Sequence, residues 1–460
     1  MDLLKKTLSA MAAVLFLTSA ASCSSGGSSS ESVTSAEPAT EEPTEEVKET
    51  DISGQTITWL ADYDINPAVK GQDRSVALSL FEDVYGASVK FERCEAGEKY
   101  ETLSKMLLSG KTVDMFPYDQ QAIPYGTAKE LFAPLDEYYD VLDMDSEMWE
   151  GMSELTDFLA YNGEHYVIPY SLSSPQLLIY SRKLVQAEGL DDPAKLYAEN
   201  KWDWDAFMGM MKKFKEKAPE GVTRYGINGW FGQSVLNSSG KTVISSDNGK
   251  LVSDLSSPEI EKAEKLMQEI RDSGLYYRDW LGHYAKDNTI LFFAAADWAL
   301  GESNLVTPDA DLMAVPFPKS PLAEDYALPC NIGARMLVKG SEHPEAVAAF
   351  IKCERMAATQ SEYTAKAKEE ALKGSVRSKL TEEQYDAIQS YLSDVMPVCD
   401  LGFGMSGKMF TAESRSYDTM GVMNKLESAL LDYPDKAENW EKLRDAVKGD
   451  IDSALKEYNK

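Results

Sequence analysis

Histidine, cysteine and acid side chains could do chemistry in this chain, but their spacing excludes most of it. Only three histidines occur among 460 residues. His165, His283 and His343 are neither four residues apart nor beside a cysteine, so zinc-type spacing is absent. Neither a Gly-x-Ser-x-Gly elbow nor a P-loop occurs. With 76 acids in the chain, pairs such as Glu41-Glu42 and Glu382-Glu383 read as solvated faces rather than glycosidase carboxylates. No metal, cofactor or catalytic group is therefore expected. Aromatic rings beside Gly, Asp, Asn, Gln or Arg are what the sequence supplies: Trp59, Trp230, Trp280, Trp298, Tyr63, Tyr118, Tyr170 and Phe403. A sugar presents a face of C–H groups and an edge of hydroxyls. Flat rings suit the face, and planar bidentate groups suit the edge.

Several elements must position those rings. Asn162-Gly163 lies between hydrophobic runs and predicts a two-residue hairpin, since both residues accept positive φ. A following strand should stop at Pro169-Tyr170, where proline cannot continue a central ladder. Residues 176–180 predict another strand, leading into a helix, and Trp202-Asp203-Trp204-Asp205 opens a further helix with Asp203 as its cap. Here the chain leaves one compact unit for a second. Upstream, strands at 57–60, 87–93 and 113–116 alternate with two helices. One helix carries Val76, Leu80, Phe81 and Val84 on a face, and the other runs 100–108 and is closed by Gly110. This order implies a mostly parallel sheet whose ligand loops follow the C-terminal strand ends. Those loops hold Tyr63, Asp64, Tyr118, Asp119 and Gln120, although aspartate there also serves turn chemistry. Downstream, 225–233 reads as a strand opening into an aromatic loop with Trp230, and 258–273 as a helix capped by Ser257. Residues 288–301 read as a helix end and a short strand reaching Trp298. Arg335 sits in an otherwise apolar strand and needs either a carboxylate or a ligand. Trp280 belongs to either the cleft or the lobe surface. Trp59, Trp149, Trp202, Trp204 and Trp440 read as scaffold. Helices are expected at 344–355, 382–392, 414–431 and 439–458.

With 43% hydrophobic residues the chain can bury a large core in two lobes. Lys5 and Lys6, an apolar run at 8–17 and small residues at 18–22 read as a cleaved leader too short to remain a membrane span. The segment up to Asp51 is rich in Ser, Gly, Glu, Pro and Thr, cannot offset its ordering entropy, and predicts a disordered acidic tether. A net charge of −30 disfavours nucleic acid as a partner. Cys94, Cys330, Cys353 and Cys399 show no ligand spacing and allow three disulfide connectivities. Free, buried thiols are the expectation.

Taken in order, several features resemble the extracellular solute-binding lipoproteins of bacterial ABC importers, of the carbohydrate type similar to maltose- and oligosaccharide-binding proteins. They are the small residues before Cys23, the acidic tether, the Asn-Gly turn into Ile168-Pro169-Tyr170, the Trp-Asp-Trp-Asp helix start and the run from Ser341 through Pro344 to Ile351. The resemblance covers most of the chain beyond Asp51. It implies an α/β, two-lobed periplasmic-binding-protein-like fold, each lobe a mostly parallel sheet flanked by helices, with extra C-terminal helices. Residues 52–172 with about 328–360 would form lobe 1, and about 173–327 with 361–460 lobe 2. Residues 1–22 would be a lipoprotein signal peptide and 23–51 the tether, lipidated at Cys23. Tyr170 would lie where the half-sites meet, Trp230 and Trp298 would be cleft aromatics, and the loop 401–406 would add Phe403. The expected ligand set is Tyr63, Asp64, Tyr118, Asp119, Gln120, Tyr170, Trp230, Trp280, Trp298, Arg335 and Phe403. The implied role is capture of a mono- or oligosaccharide by hinge closure and its delivery to an ABC permease. The protein would act as a monomer on the outer face of the cell membrane, held only by its lipid, without nucleic acid. A surface glycoside hydrolase and a non-transport adhesin or sensor are the alternatives.

Overall fold

The computed structural model describes residues 51–67, 73–247, 249–373, 379–411 and 416–459. The expected leader, Cys23 and residues 24–50 of the tether lie outside the described residues. Strand β1 (Thr56–Ala61) pairs in parallel with β2 (Ser88–Arg93) along its whole length, from Thr56↔Ser88 to Ala61↔Arg93. It also runs parallel to β3 (Met115–Pro117) at Trp59↔Met115. Between them the helix Val76–Asp83 is capped by Ser75, whose hydroxyl accepts from Leu78 N. It buries Ala77, Leu78, Leu80 and Phe81 and leaves Val84 exposed, so its inner face is rotated from the expected stripe. Phe81 meets Phe350 edge-on at 5.2 Å, which seats this helix against the helix Pro344–Thr359.

Asn162 (φ 55°) and Gly163 (φ 83°) make the expected tight turn, closed by Tyr161 N to Glu164 O (3.0 Å) and Glu164 N to Tyr161 O (3.2 Å). The strand expected after it does not form. Its polar groups are used elsewhere: His165 O accepts from Leu135 N, His165 N donates to Asp136, and Tyr170 N donates to Gly333 O.

The chain crosses over through β4 (Ser171–Ser173) and enters a second sheet at β5 (Gln176–Ser181). The sheet continues with β6 (Tyr225–Gly229), and a separate hairpin is made by β7 (Ile244–Asp247) and β8 (Lys250–Ser253). Strands β9 (Tyr276–Tyr277), β10 (Ile290–Ala296) and β11 (Leu312–Pro316) complete the order β11-β5-β10-β6-β9. β6 is parallel to β9 and β10, whereas β5 is antiparallel to β10 and β11. No helix end precedes β10; Asn288 takes φ 56° in a turn instead. Asp203 caps the helix Trp204–Glu216 through Ala206 N, and Trp202 and Trp204 are buried with their indole N–H groups on Pro316 O and Ser238 Oγ.

Return begins at β12 (Ala327–Leu328). β13 (Asn331–Gly333) then pairs antiparallel with β4, and β14 (Arg335–Leu337) completes the first sheet antiparallel to β3. After the helix Glu382–Asp394, β15 (Met396–Pro397) pairs in parallel with β12. The helices Val422–Asp432 and Trp440–Tyr458 close the second unit; the former begins later than the sequence pattern suggested, after a short 3-10 turn, Tyr417–Thr419. Among the described residues no helix is long and apolar enough to cross a membrane.

Candidate functional site

The first sheet presents C-terminal strand ends, and the second sheet the start of β5 and the segment after β6, towards a shared cavity of about 720 Å³. From the first sheet the wall receives Lys99, Tyr100, Tyr118, Asp119, Gln120 and Gln121, all beyond β2 or β3. Ser174, Gln176, Asn331 and Ile332 come from the crossing segments, Gln233 from the first turn of the helix Gly232–Asn237 after β6, and Phe410 from the C-terminal part. Asp119 is the carboxylate of this wall, and its oxygens are occupied. Lys99 Nζ lies at 2.5 Å, Tyr100 OH donates at 2.6 Å and Gln121 N donates at 2.8 Å. Burial, reinforced by Asp119, pushes the Tyr100 hydroxyl well up; burial does the same for Tyr118. Both phenols therefore stay neutral and able to donate. Gln176 opens β5, and its side-chain carbonyl is buried without a hydrogen-bond partner. Such an acceptor is costly unless something donates to it.

A second hollow of about 290 Å³ adjoins the first and shares Gln176 and Gln233 with it; Trp230, Tyr276 and Asp432 line its far side. Trp230 is 61% exposed and stacks on Trp280, with ring centres 4.2 Å apart and planes 7° from parallel. This places Trp280, 39% exposed, at the rim, backed by Phe293 at 5.2 Å. Trp298 is equally exposed and begins the helix after β10. That turn is tied to the crossing by Asp297 N donating to Pro175 O at 3.2 Å.

The remaining expected residues divide clearly. Tyr118, Asp119 and Gln120 line the main cavity. Tyr63 is exposed beyond β1, and its hydroxyl accepts from Arg335 Nη1 at 3.2 Å. Asp64 is engaged in its own turn, accepting from Asn66 N and Nδ2, both at 2.9 Å. Arg335 has a carboxylate partner, Glu354, at 2.5 Å, and its guanidinium lies over the Trp59 and Tyr170 rings. Tyr170 is buried beside it. Phe403 is only 3% exposed and packs on Phe410 at 5.6 Å, so it is Phe410 that reaches the cavity. Gly402-Phe403-Gly404-Met405-Ser406-Gly407 has Gly-x-Gly-x-x-Gly spacing, yet it forms a 3-10 turn, Leu401–Gly404, with no helix opening from it, so the dinucleotide geometry is missing.

Gln176, Gln233, Asn331 and Phe410 carried no sequence signal beyond residue type, apart from Gln176 as the polar start of an apolar strand. A hollow of similar size, about 780 Å³, includes Glu150, Ser171, Arg355 and Asp394 but touches none of the strand-end loops. Among the described residues no group of three or more His, Cys, Asp or Glu side chains is placed to hold a metal ion.

A family model described as bacterial extracellular solute-binding protein matches residues 66–353. Among curated protein sequences none matches. Solved structures align over nearly their whole length. The galacto-N-biose-/lacto-N-biose I-binding protein of an ABC transporter from Bifidobacterium longum is 14% identical, with TM-score 0.58, covering 88% of this chain and 97% of its own. The cyclic alpha-maltosyl-1,6-maltose binding protein from Arthrobacter globiformis is 15% identical, with TM-score 0.58, covering 87% and 99%. The sugar-binding protein MalE from Xanthomonas citri is 13% identical, with TM-score 0.60, covering 87% and 98%. These likenesses establish the two-lobed fold.

Proposed function

The chain belongs to the bacterial extracellular solute-binding protein family, and from that premise we propose that it captures a sugar or oligosaccharide in the cavity between the strand-end loops and passes it to an ABC permease. One observation carries the ligand class: the cavity is walled by planar amides and phenols, includes a buried acceptor on Gln176 without a partner, and leads to the exposed face of Trp230. Amides read hydroxyl edges, and a ring takes the C–H face. The similar structures named for lacto-N-biose and maltosyl sugars support the same class. Tyr118, Gln120 and Gln176 are proposed to bind the sugar edge, and Trp230, Trp280 and Trp298 to form its aromatic rim. Asp119 would act through its hold on Lys99 and Tyr100.

Closure is proposed to be a hinge motion about the paired crossing strands β4 and β13. A ligand touching both sides stabilises the closed state by its differential contacts. Residues 52–172 with about 328–360 would move against the remainder. Cys23 is proposed as a lipid attachment site, placing a monomeric receptor at the outer face of the membrane on its acidic tether. Catalysis is not part of the proposal, since a glycosidase needs two working carboxylates and Asp119, held by Lys99 and Tyr100, is the one carboxylate among the residues described as lining this cavity.

A thermal-shift screen of the purified protein over mono- to tetrasaccharides tests the reading, because a ligand of the folded state alone raises the melting temperature. At least one sugar should raise it, and calorimetry with that sugar should show Tyr118→Ala and Gln176→Leu weakening binding by about tenfold or more. A panel with no stabilising sugar, or unchanged affinity in both variants, would sink it.

A further inference from the structure

The four described cysteines separate by location. Cys94 and Cys353 are buried in two different core clusters. Cys330 and Cys399 are half-buried and line the same cavity wall as Tyr118 and Asn331. Their backbones are related by a ladder. β12 and β15 run parallel with Ala327 opposite Met396 and Leu328 opposite Pro397. The ladder ends there, and each cysteine comes two residues after its strand's last pair; the same register extended by two residues would bring Cys330 opposite Cys399, on the side of Leu328 and Pro397. Paired strands lie about 4.8 Å apart, inside the Cα separation of about 4.4–6.8 Å that a disulfide spans. Burial, then the neighbouring Cys330, pushes the Cys399 thiol up to about 12, and burial does the same for Cys330. Cys330 is thus close enough to Cys399 to bear on its ionisation.

We propose that Cys330 and Cys399 form an oxidisable dithiol in the cleft wall that closes to an intramolecular disulfide by exchange with a low-molecular-weight disulfide. One thiolate attacks the external disulfide, giving a mixed disulfide and releasing one small thiol. The second thiolate then displaces the other small thiol. The protein S–S bond forms as the external S–S bond is reduced, and the two cysteine protons end on the two released thiols. The bond ties the segment between β12 and β13 to the segment after β15, restricting the unfolded chain. Outside the cell, disulfides form and persist. The raised thiols make the exchange slow near neutrality and faster as pH rises.

Full-length protein carrying Cys23→Ser, so that the fifth cysteine cannot take up glutathione, is purified reduced and then exposed to oxidised glutathione at pH 8.5 as the test. The expected product has lost two free thiols, weighs about 2 Da less with no adduct, yields a Cys330–Cys399 linked peptide and melts a few degrees higher. Cys330→Ser should instead keep glutathione on Cys399. Stable glutathione adducts on both Cys330 and Cys399 when neither is substituted, a bond to Cys94 or Cys353, or an unchanged thiol count would each overturn the proposal. None of these readouts needs the ligand, so the outcome is separable from the sugar-binding reading.

Discussion

Replacing Arg335 by methionine decides between the two roles the residue could have. Its guanidinium lies 2.5 Å from Glu354, and the two side chains are only 12% and 18% exposed. Its Nη1 also donates to Tyr63 OH at 3.2 Å, and the guanidinium covers the Trp59 and Tyr170 rings at 5.0 and 5.4 Å. Methionine keeps much of the aliphatic packing and strands Glu354. Breaking a buried pair from one side costs about 3–5 kcal/mol, and two cation–π contacts add about 0.5–1 kcal/mol each. Partial exposure of the carboxylate pulls the total back, so about 3–4 kcal/mol is expected. Urea unfolding at fixed pH reads this as a shift in midpoint with an unchanged slope. Adding Glu354→Met should restore at least half of the loss, because no charge is then left stranded. If Arg335→Met shifts stability by under 1 kcal/mol while sugar affinity collapses, the ion-pair account is wrong and Arg335, whose Nε is buried without a partner, serves the ligand.

Other consequences follow from single contacts. Asp114 is buried and accepts from Thr58 N, Ser341 Oγ and Glu342 N, so Asp114→Ala should cost about 3–5 kcal/mol in urea unfolding; a loss under 1 kcal/mol would discount this junction. A Cβ on Gly404 would sit 1.8 Å from Ile123 O and 2.5 Å from Gln120 O. Gly404→Ala should therefore destabilise by about 1–3 kcal/mol and weaken sugar binding by moving the loop that carries Gln120, with wild-type calorimetry refuting the second effect. Burial, then nearby Asp400, pushes Glu427 up to about 8 from an ordinary 4.5. The folded state thus holds this proton where the unfolded chain has released it, so the contribution is full below pH 4.5 and is lost as pH rises to 8. Glu427→Gln should flatten the fall in melting temperature across that window, and identical pH profiles would contradict the assignment.

Local rules made some of this architecture legible. Asp203 announced a cap, Asn162-Gly163 announced a turn, and Trp202 and Trp204 at a helix start announced scaffold rather than site. Each depends on near neighbours in the chain. The strand expected after the turn failed because its hydrogen bonds go to residues 135, 136 and 333, which no local pattern records. Phe403 and Phe410 are alike in composition and setting. Which one reaches the cavity is decided by the close approach of the turn at Gly404 to the loop at 120–123. Likewise the pairing of Trp230 with Trp280 is set by the neighbouring strands β6 and β9, and Gln176 became conspicuous only through an acceptor left unpaired by its surroundings.

The strand order of the first sheet bears on how the chain is made. β14 joins β3 at Met336↔Phe116, after the whole second sheet has been spelled out. During synthesis from the N-terminus, β1, β2 and β3 therefore wait with an open edge until Leu337 is available, and the helix that meets Phe81 arrives later still. Contacts this distant in the chain slow folding. The first unit should stay unfinished through most of translation.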